Sequence, residues 1–195
     1  MIDAADSSLL LAAAQRGDTG ALDAFLRLHY DRILHICRRI TGNDADAADA
    51  TQEAMLAIVR GLNRFDGRAS VTTWLYRVTT NACLDELRRR KRRPSVGLPD
   101  LERVDRPGEG VGHDDSIADR LRLDAALAEL PEDFRIAVVL RDVGDLDYAD
   151  IALVLDLPPG TVRSRIARGR MALARSLGTD VGNQSGSSDR QREES

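Results

Sequence analysis

Apolar positions between Ala12 and Arg93 recur at helical spacing almost without a break. Leu22, Phe25, Leu26, Ile33, Ile36 and Ile40 mark the first stripe, and Thr41-Gly42-Asn43-Asp44 supplies a stop followed by a new N-cap. A second helix is predicted from about Ala45 to Leu62, and a loop from Asn63 to Ser70 carries Gly67 and a capping hydroxyl. The third helix places Val71, Trp74, Leu75, Val78 and Ala82 on one face, so that core packing is favoured for Trp74 over the alternative of stacking on an exposed base. Its end is a basic run halted by Pro94.

From Ser95 to about Ile117 the apolar period disappears, and six acidic residues stand against two basic ones among glycines and prolines. That is longer than the ~12 to 15 residues usual for a structureless loop inside one domain, so the stretch is expected to be a flexible acidic linker. Helical spacing resumes with Leu121, Leu123, Leu127 and Leu130, restarts at Pro131 as an N1 proline, and runs through Phe134 to Arg141. Two further helices follow Val143-Gly144-Asp145. No strand pattern or internal repeat emerges. The predicted fold is all-α, with two small helical domains over residues 1–94 and 118–178, the linker at 95–117, and a polar tail at 179–195 expected to be disordered.

The second domain carries a helix-turn-helix pattern. Asp147 to Asp156 reads as a short helix with Ile151, Ala152 and Leu155 inward, Leu157 to Gly160 as a turn, and Thr161 as the start of a helix of about four turns. Val162, Ile166, Gly169 and Leu173 form its inward stripe. The opposite face then holds Ser164, Ala167, Arg168, Met171 and Arg175, flanked by Thr161 and Arg163. Arginine and serine are residues that read base edges or hold phosphates in a major groove. Arg165 and Arg170 lie beside the apolar stripe, as phosphate clamps or structural partners.

Charge sharpens this picture. The 195 residues carry 28 Lys+Arg and 32 Asp+Glu, a net charge of -4, yet the cations are bunched. Arg88, Arg89, Arg90, Lys91, Arg92 and Arg93 are consecutive, and five arginines follow Asp156 before the next acid at Asp180. Two cationic patches on an acidic chain suggest a divided contact with one polyanion, although such runs also serve as solvated faces. Upstream, Arg77 and Asn81 join the basic run as contacts for a single strand, and the loop before them is placed to close over an extruded base. On the second helix Asp46, Asp49, Gln52 and Glu53 form an acidic-polar stripe, which suits either the helix dipole or a basic partner surface.

Other chemistry finds little support. Cys37 and Cys83 each lie within helical patterns and read as buried free thiols. His29, His35 and His113 lack metal-ligand spacing, and no P-loop, HExxH or Ser/His/Asp set is evident, so no enzyme, cofactor or metal is expected. Without a membrane span or a signal peptide in MIDAADSS, a cytoplasmic protein is expected.

Together, Asp49 to Leu56 (DATQEAML), Phe65 to Arg77 (FDGRASVTTWLYR), Asn81, Asp85 and Arg88 to Arg93 resemble the second conserved region of extracytoplasmic-function sigma factors, the small members of the sigma-70 family. Leu130-Pro131 through Phe134, Tyr148 to Ala152 (YADIA) and Gly160 to Arg168 (GTVRSRIAR) resemble their fourth region. The resemblance implies an alternative sigma factor that binds core RNA polymerase and promoter DNA, with an anti-sigma factor as a further partner. Residue by residue, it assigns Asp49, Gln52 and Glu53, beside Asp46, to the clamp-helix coiled coil of the largest polymerase subunit. Phe65, Arg68, Ser70, Arg77 and Asn81 would hold the melted -10 element, with Arg88, Arg89, Arg90, Lys91 and Arg92 on the adjacent backbone. Thr161, Arg163, Ser164, Arg168 and Arg175 would meet the -35 element, and the linker the RNA exit path. The chain departs from the family in having Ala50-Thr51 inside the usual Asp-Leu-Val-Gln-Glu, and Asp156 where glycine is common. A stand-alone helix-turn-helix regulator of duplex DNA is the alternative, separated by tight specific binding without polymerase.

Overall fold

A computed structural model of the chain describes residues 4–92 and 114–184, with side chains described over 5–92 and 118–178. All regular structure among the described residues is helical. In order come α1 Ala4–Gln15, α2 Thr19–Thr41, α3 Asp44–Gly61, α4 Val71–Arg92, α5 Asp114–Glu129, α6 Glu132–Val138, α7 Tyr148–Leu155 and α8 Pro159–Gln184. A 3-10 turn, Leu62–Arg64, closes α3, and a π-helical turn, Val139–Val143, extends α6.

Local chemistry sets the boundaries. The sequence pattern begins at Ala12 and merges what the structure separates into α1 and α2. The break is Gly17, at φ 95, and Asp18 then caps α2 by accepting from the Ala21 amide at 3.0 Å. Gly42, in the left-handed region at φ 79, returns its N–H to Arg38 O, and Asn43 caps α3 through the Asp46 amide at 2.8 Å. Ser70 caps α4 by accepting from the Thr73 amide at 3.0 Å. The expected linker lies outside the described residues except where its last four open α5, and the tail lies outside them beyond Gln184.

Helices α2, α3 and α4 enclose Phe25, Ile33, Ile36, Ile40, Ala54, Ile58, Leu75 and Cys83, while the second half buries Ile136, Val139, Leu140, Ile151, Val154, Val162 and Ile166. Each such aliphatic side chain contributes roughly 1.5–3 kcal/mol on leaving water. These residues belong to one continuous apolar cluster, because α4 packs on α7 and α2 packs on α5 and the π turn. Trp74 packs against this cluster while staying half-buried, its ring 5.2 Å from that of Phe65, so the packing expected from the apolar stripe is met at the edge of the core.

Candidate nucleic-acid interface

Helices α7 and α8 make the helix-turn-helix. Asp147 caps α7 by accepting from the Asp150 amide at 2.7 Å, and Asp156 ends it in the left-handed region at φ 53, ψ 50. That conformation explains why glycine suits the position. Helix α8 begins at Pro159 and not at Thr161, since a proline at N1 brings the right φ and needs no donor. It is also longer than the expected four turns, running 26 residues.

Val162 and Ile166 are buried, Leu173 is half-buried, and Gly169 lies against α6 so closely that a Cβ there would stand 2.5 Å from Val138 Cγ2. The inward stripe being fixed, Arg163, Ala167, Arg168, Met171 and Arg175 face solvent, while Thr161 and Ser164 are half-buried. Ser164 donates its hydroxyl to Thr161 O at 2.9 Å, which leaves only its lone pairs for an incoming group. Arg165 ion-pairs with Asp133 at 2.6 Å and Arg170 with Asp142, so both are structural partners. Arg163 lies over the Tyr148 ring at 5.9 Å, and Arg141, donating to Leu146 O, sits over the same ring at 5.2 Å. Tyr148 is a support that helical periodicity does not single out.

On α4, Arg77, Asn81, Arg88 and Arg92 are exposed along one face, spaced for successive helical turns. The basic run divides. Arg88 pairs with Asp85 at 2.8 Å on the surface, whereas Arg89 pairs with the buried Glu86 at 2.9 Å and Arg90 with Asp46 at 3.3 Å. Lys91 reaches Glu132 of α6 at 2.7 Å. Arg89, Arg90 and Lys91 are thus exposed cations that also pair with neighbouring carboxylates; Arg93 lies outside the described residues.

The loop ahead of α4 is held from α1. Gln15 Nε2 donates to Leu62 O at 2.9 Å and to Phe65 O at 3.0 Å, a tie between residues about fifty apart with no signature in the sequence. Phe65 is half-buried, Arg68 is exposed and folds back on Asp66 at 3.0 Å, and Ser70 spends its hydroxyl oxygen on the α4 cap.

On α3, Asp49, Gln52 and Glu53 stand exposed on one face. Ala50 and Thr51 turn inward, Thr51 Oγ1 donating to Ala47 O at 2.7 Å, so small residues fill the interior where the family commonly has larger ones. Asp46 corrects the expected stripe. It is 7% exposed and takes bonds from Asn43 Nδ2 and Arg90, so it stabilises α3 and faces no partner.

Elsewhere, His29 is buried beside Ser7 Oγ at 2.8 Å, and burial, followed by the charge of Arg32, pushes its pKa down to about 4. The free thiols of Cys37 and Cys83 touch at 3.5 Å inside the first half. No group of three or more His, Cys, Asp or Glu among the described residues is placed to share a metal ion. None of the described helices is long and apolar enough to cross a membrane.

Both blocks of this architecture match known families: Sigma-70 region 2 over residues 25–93 and Sigma-70, region 4 over residues 120–173. The chain belongs to the sigma-70 family. Its relatives place it in the extracytoplasmic-function group of sigma factors. The sigma factor SigM of Mycobacterium tuberculosis is 40% identical over 170 residues, covering 87% of this chain and 83% of the relative. The RNA polymerase sigma-H factor of Pseudomonas aeruginosa is 35% identical, covering 86% and 92%, and the sigma-E factor of Escherichia coli 32%, covering 85% and 91%. The fold is that of CnrH, solved with the cytosolic domain of CnrY, at TM-score 0.67 and 23% identity over 91% of this chain and 99% of that one. It is equally that of the Bartonella quintana sigma factor RpoE, solved with the anti-sigma factor NepR, at TM-score 0.68 and 22% identity over 81% and 97%.

Proposed function

We propose that this sigma factor binds core RNA polymerase through the exposed Asp49, Gln52 and Glu53 of α3, and directs it to promoters by contacting DNA in two places. Arg77 and Asn81, with Arg88 and Arg92 along the same face, hold the melted strand of the -10 element beside the loop carrying Phe65 and Arg68. Arg163 and Arg168 of α8 read base edges of the -35 element, and Thr161, Ser164 and Arg175 position the phosphates. The observation that carries this reading is that each region of the family supplies one solvent-facing helix surface bearing arginine, after the structural arginines have been set aside.

Division of labour follows from the groups themselves. A duplex presents base edges in its major groove, which a bidentate guanidinium can distinguish by ~1 to 3 kcal/mol, whereas a melted strand presents unstacked bases and a flexible backbone. Opening a duplex costs a few kcal/mol per extruded base, so the enzyme partner supplies what one small chain does not. The work is cytoplasmic, beside polymerase, and an anti-sigma factor is its natural antagonist, in the way that NepR is paired with RpoE in the solved relative. The test is transcription of fragmented genomic DNA by core polymerase with and without the chain, mapping 5′ ends. New start sites sharing two upstream sequence elements are expected; tight duplex binding by a dimer without polymerase, and no new starts, would favour a stand-alone regulator.

A further inference from the structure

Cys37 of α2 and Cys83 of α4 are both 0% exposed, and Cys83 Sγ donates to Cys37 Sγ at 3.5 Å across 46 residues of sequence. Both are free thiols. A single buried cysteine serves as a small apolar filler and calls for no further account. Two in contact are a different chemical object, because whatever oxidises one sulfur leaves the other in place as the next nucleophile. A disulfide holds its sulfurs about 2.05 Å apart, so closing this gap takes ~1.5 Å of approach, shared between two side chains and the helices that carry them. The pair is also asymmetric. The hydrogen bond from Cys83 lowers the pKa of the Cys37 thiol, with burial opposing it, while that same bond and burial push the Cys83 thiol up. Cys37 therefore carries the thiolate character, and the thiolate is the form that attacks.

We propose that Cys37 and Cys83 form an oxidative modification site, closed to an intramolecular disulfide by a hydroperoxide such as hydrogen peroxide. The Cys37 thiolate attacks one peroxide oxygen, the O–O bond breaks, and the departing hydroxide takes up the thiol's proton as water, leaving Cys37 as a sulfenic acid. The Cys83 sulfur then attacks the Cys37 sulfur and expels its hydroxyl, which leaves with the Cys83 proton as a second water. Two thiols lose two electrons and two protons, and one peroxide becomes two waters. With the partner sulfur already in contact, the sulfenic acid is captured before a second peroxide can carry it to sulfinic acid. Burial sets the pace, since peroxide reaches the pair only through local openings of the first half. The new bond closes a loop that contains all of α3 and ties α2 to α4. Restricting the unfolded chain in this way raises the folded-to-unfolded ratio on the order of a hundredfold or more. Asp49, Gln52, Glu53, Arg77 and Asn81, proposed above to meet polymerase and DNA, stay exposed on the outer sides of α3 and α4.

The test treats the full, folded chain with hydrogen peroxide, removes the excess with catalase, unfolds the protein in urea with N-ethylmaleimide and maps its peptides by mass. Met171, 53% exposed, is the internal measure that peroxide has acted, through its sulfoxide. The peptides bearing Cys37 and Cys83 are expected joined, lighter than their sum by two hydrogens, free of maleimide and separated by dithiothreitol. The urea midpoint rises with peroxide and returns on reduction, and in Cys37→Ala/Cys83→Ala peroxide produces no such rise. In Cys83→Ala alone the capturing thiol is missing, so Cys37 goes on to sulfinic acid and its peptide gains two oxygens. Maleimide on both cysteines after Met171 is fully converted, disulfides joining separate chains, or sulfinic acid on Cys37 in the unaltered protein would overturn the proposal. A midpoint rise that persists in the double variant would do the same. These readouts need neither polymerase nor DNA, so they stand or fall separately from the start-site experiment.

Discussion

At the scale of single residues, the arginines sort by what they already hold. Arg168 is exposed and in no ion pair among the described residues, while Arg165 and Arg170 are tied to Asp133 and Asp142. Arg168→Ala is therefore expected to cost ~1 to 3 kcal/mol on promoters carrying its preferred base and little on others, measured as relative open-complex formation across a -35 substitution series. Equal losses on every sequence would reduce Arg168 to a phosphate contact. His29 gives a second test. With its folded pKa near 4 and an ordinary value of 6.5, the unfolded chain takes up a proton first as pH falls. Stability is then complete above about pH 6.5 and declines toward pH 4, by roughly 2 kcal/mol between pH 7 and 5. Urea denaturation at the two pH values should show that difference, and His29→Gln should largely abolish it. The alternation of exposed and buried positions was legible from spacing alone for Arg163, Arg168, Val162 and Ile166. Ion pairs between elements were not, because nothing in local periodicity tells Arg90 that Asp46 lies opposite.

At the scale of elements, two positions on the helix-turn-helix are opposite in what they tolerate. Asp156 holds φ 53 at the end of α7, a conformation easier for a residue without Cβ. Asp156→Gly is expected to raise stability by about 0.5–1 kcal/mol, read as a higher denaturation midpoint at unchanged m-value. Gly169 has ordinary helical geometry but no space, and Gly169→Ala should lower stability by roughly 1–3 kcal/mol despite alanine's better helix propensity. A neutral result would mean that α6 yields easily to an added methyl, in spite of the 2.5 Å that would separate it from Val138 Cγ2. The helix order, the turn and the inward stripe of α8 were readable in advance. The separate α1 lies ahead of the apolar stripe that opens at Leu22, although Gly17 and Asp18 carry ordinary stop and N-cap chemistry at its end, and α8's true start required recognising Pro159 as N1.

At the scale of the whole molecule, the charge of -4 is uninformative and the distribution decides. Arg88 and Arg92 are exposed cations of the basic run, and the ion pair of Arg88, with Asp85, lies at the surface within α4 itself. Replacing both with alanine is expected to weaken the polymerase–promoter complex and to flatten its log affinity against log salt by about 1.5–2, with folding stability unchanged. An unaltered slope would remove the run from the DNA path. Packing of the two halves on each other was beyond the sequence, since Thr73 of α4 donates to Asp150 of α7 across 77 residues and Arg32 of α2 donates to Gly144 O across 112. The central claim is that polymerase carrying this chain opens DNA at a defined place. Permanganate mapping of unpaired thymines on a promoter found by start-site mapping tests it most directly. Reactive thymines are expected over the -10 element only when core polymerase and chain are both present, and weakened in Arg77→Ala/Asn81→Ala. Thymines that stay protected with both proteins bound, or that react without polymerase, would contradict it.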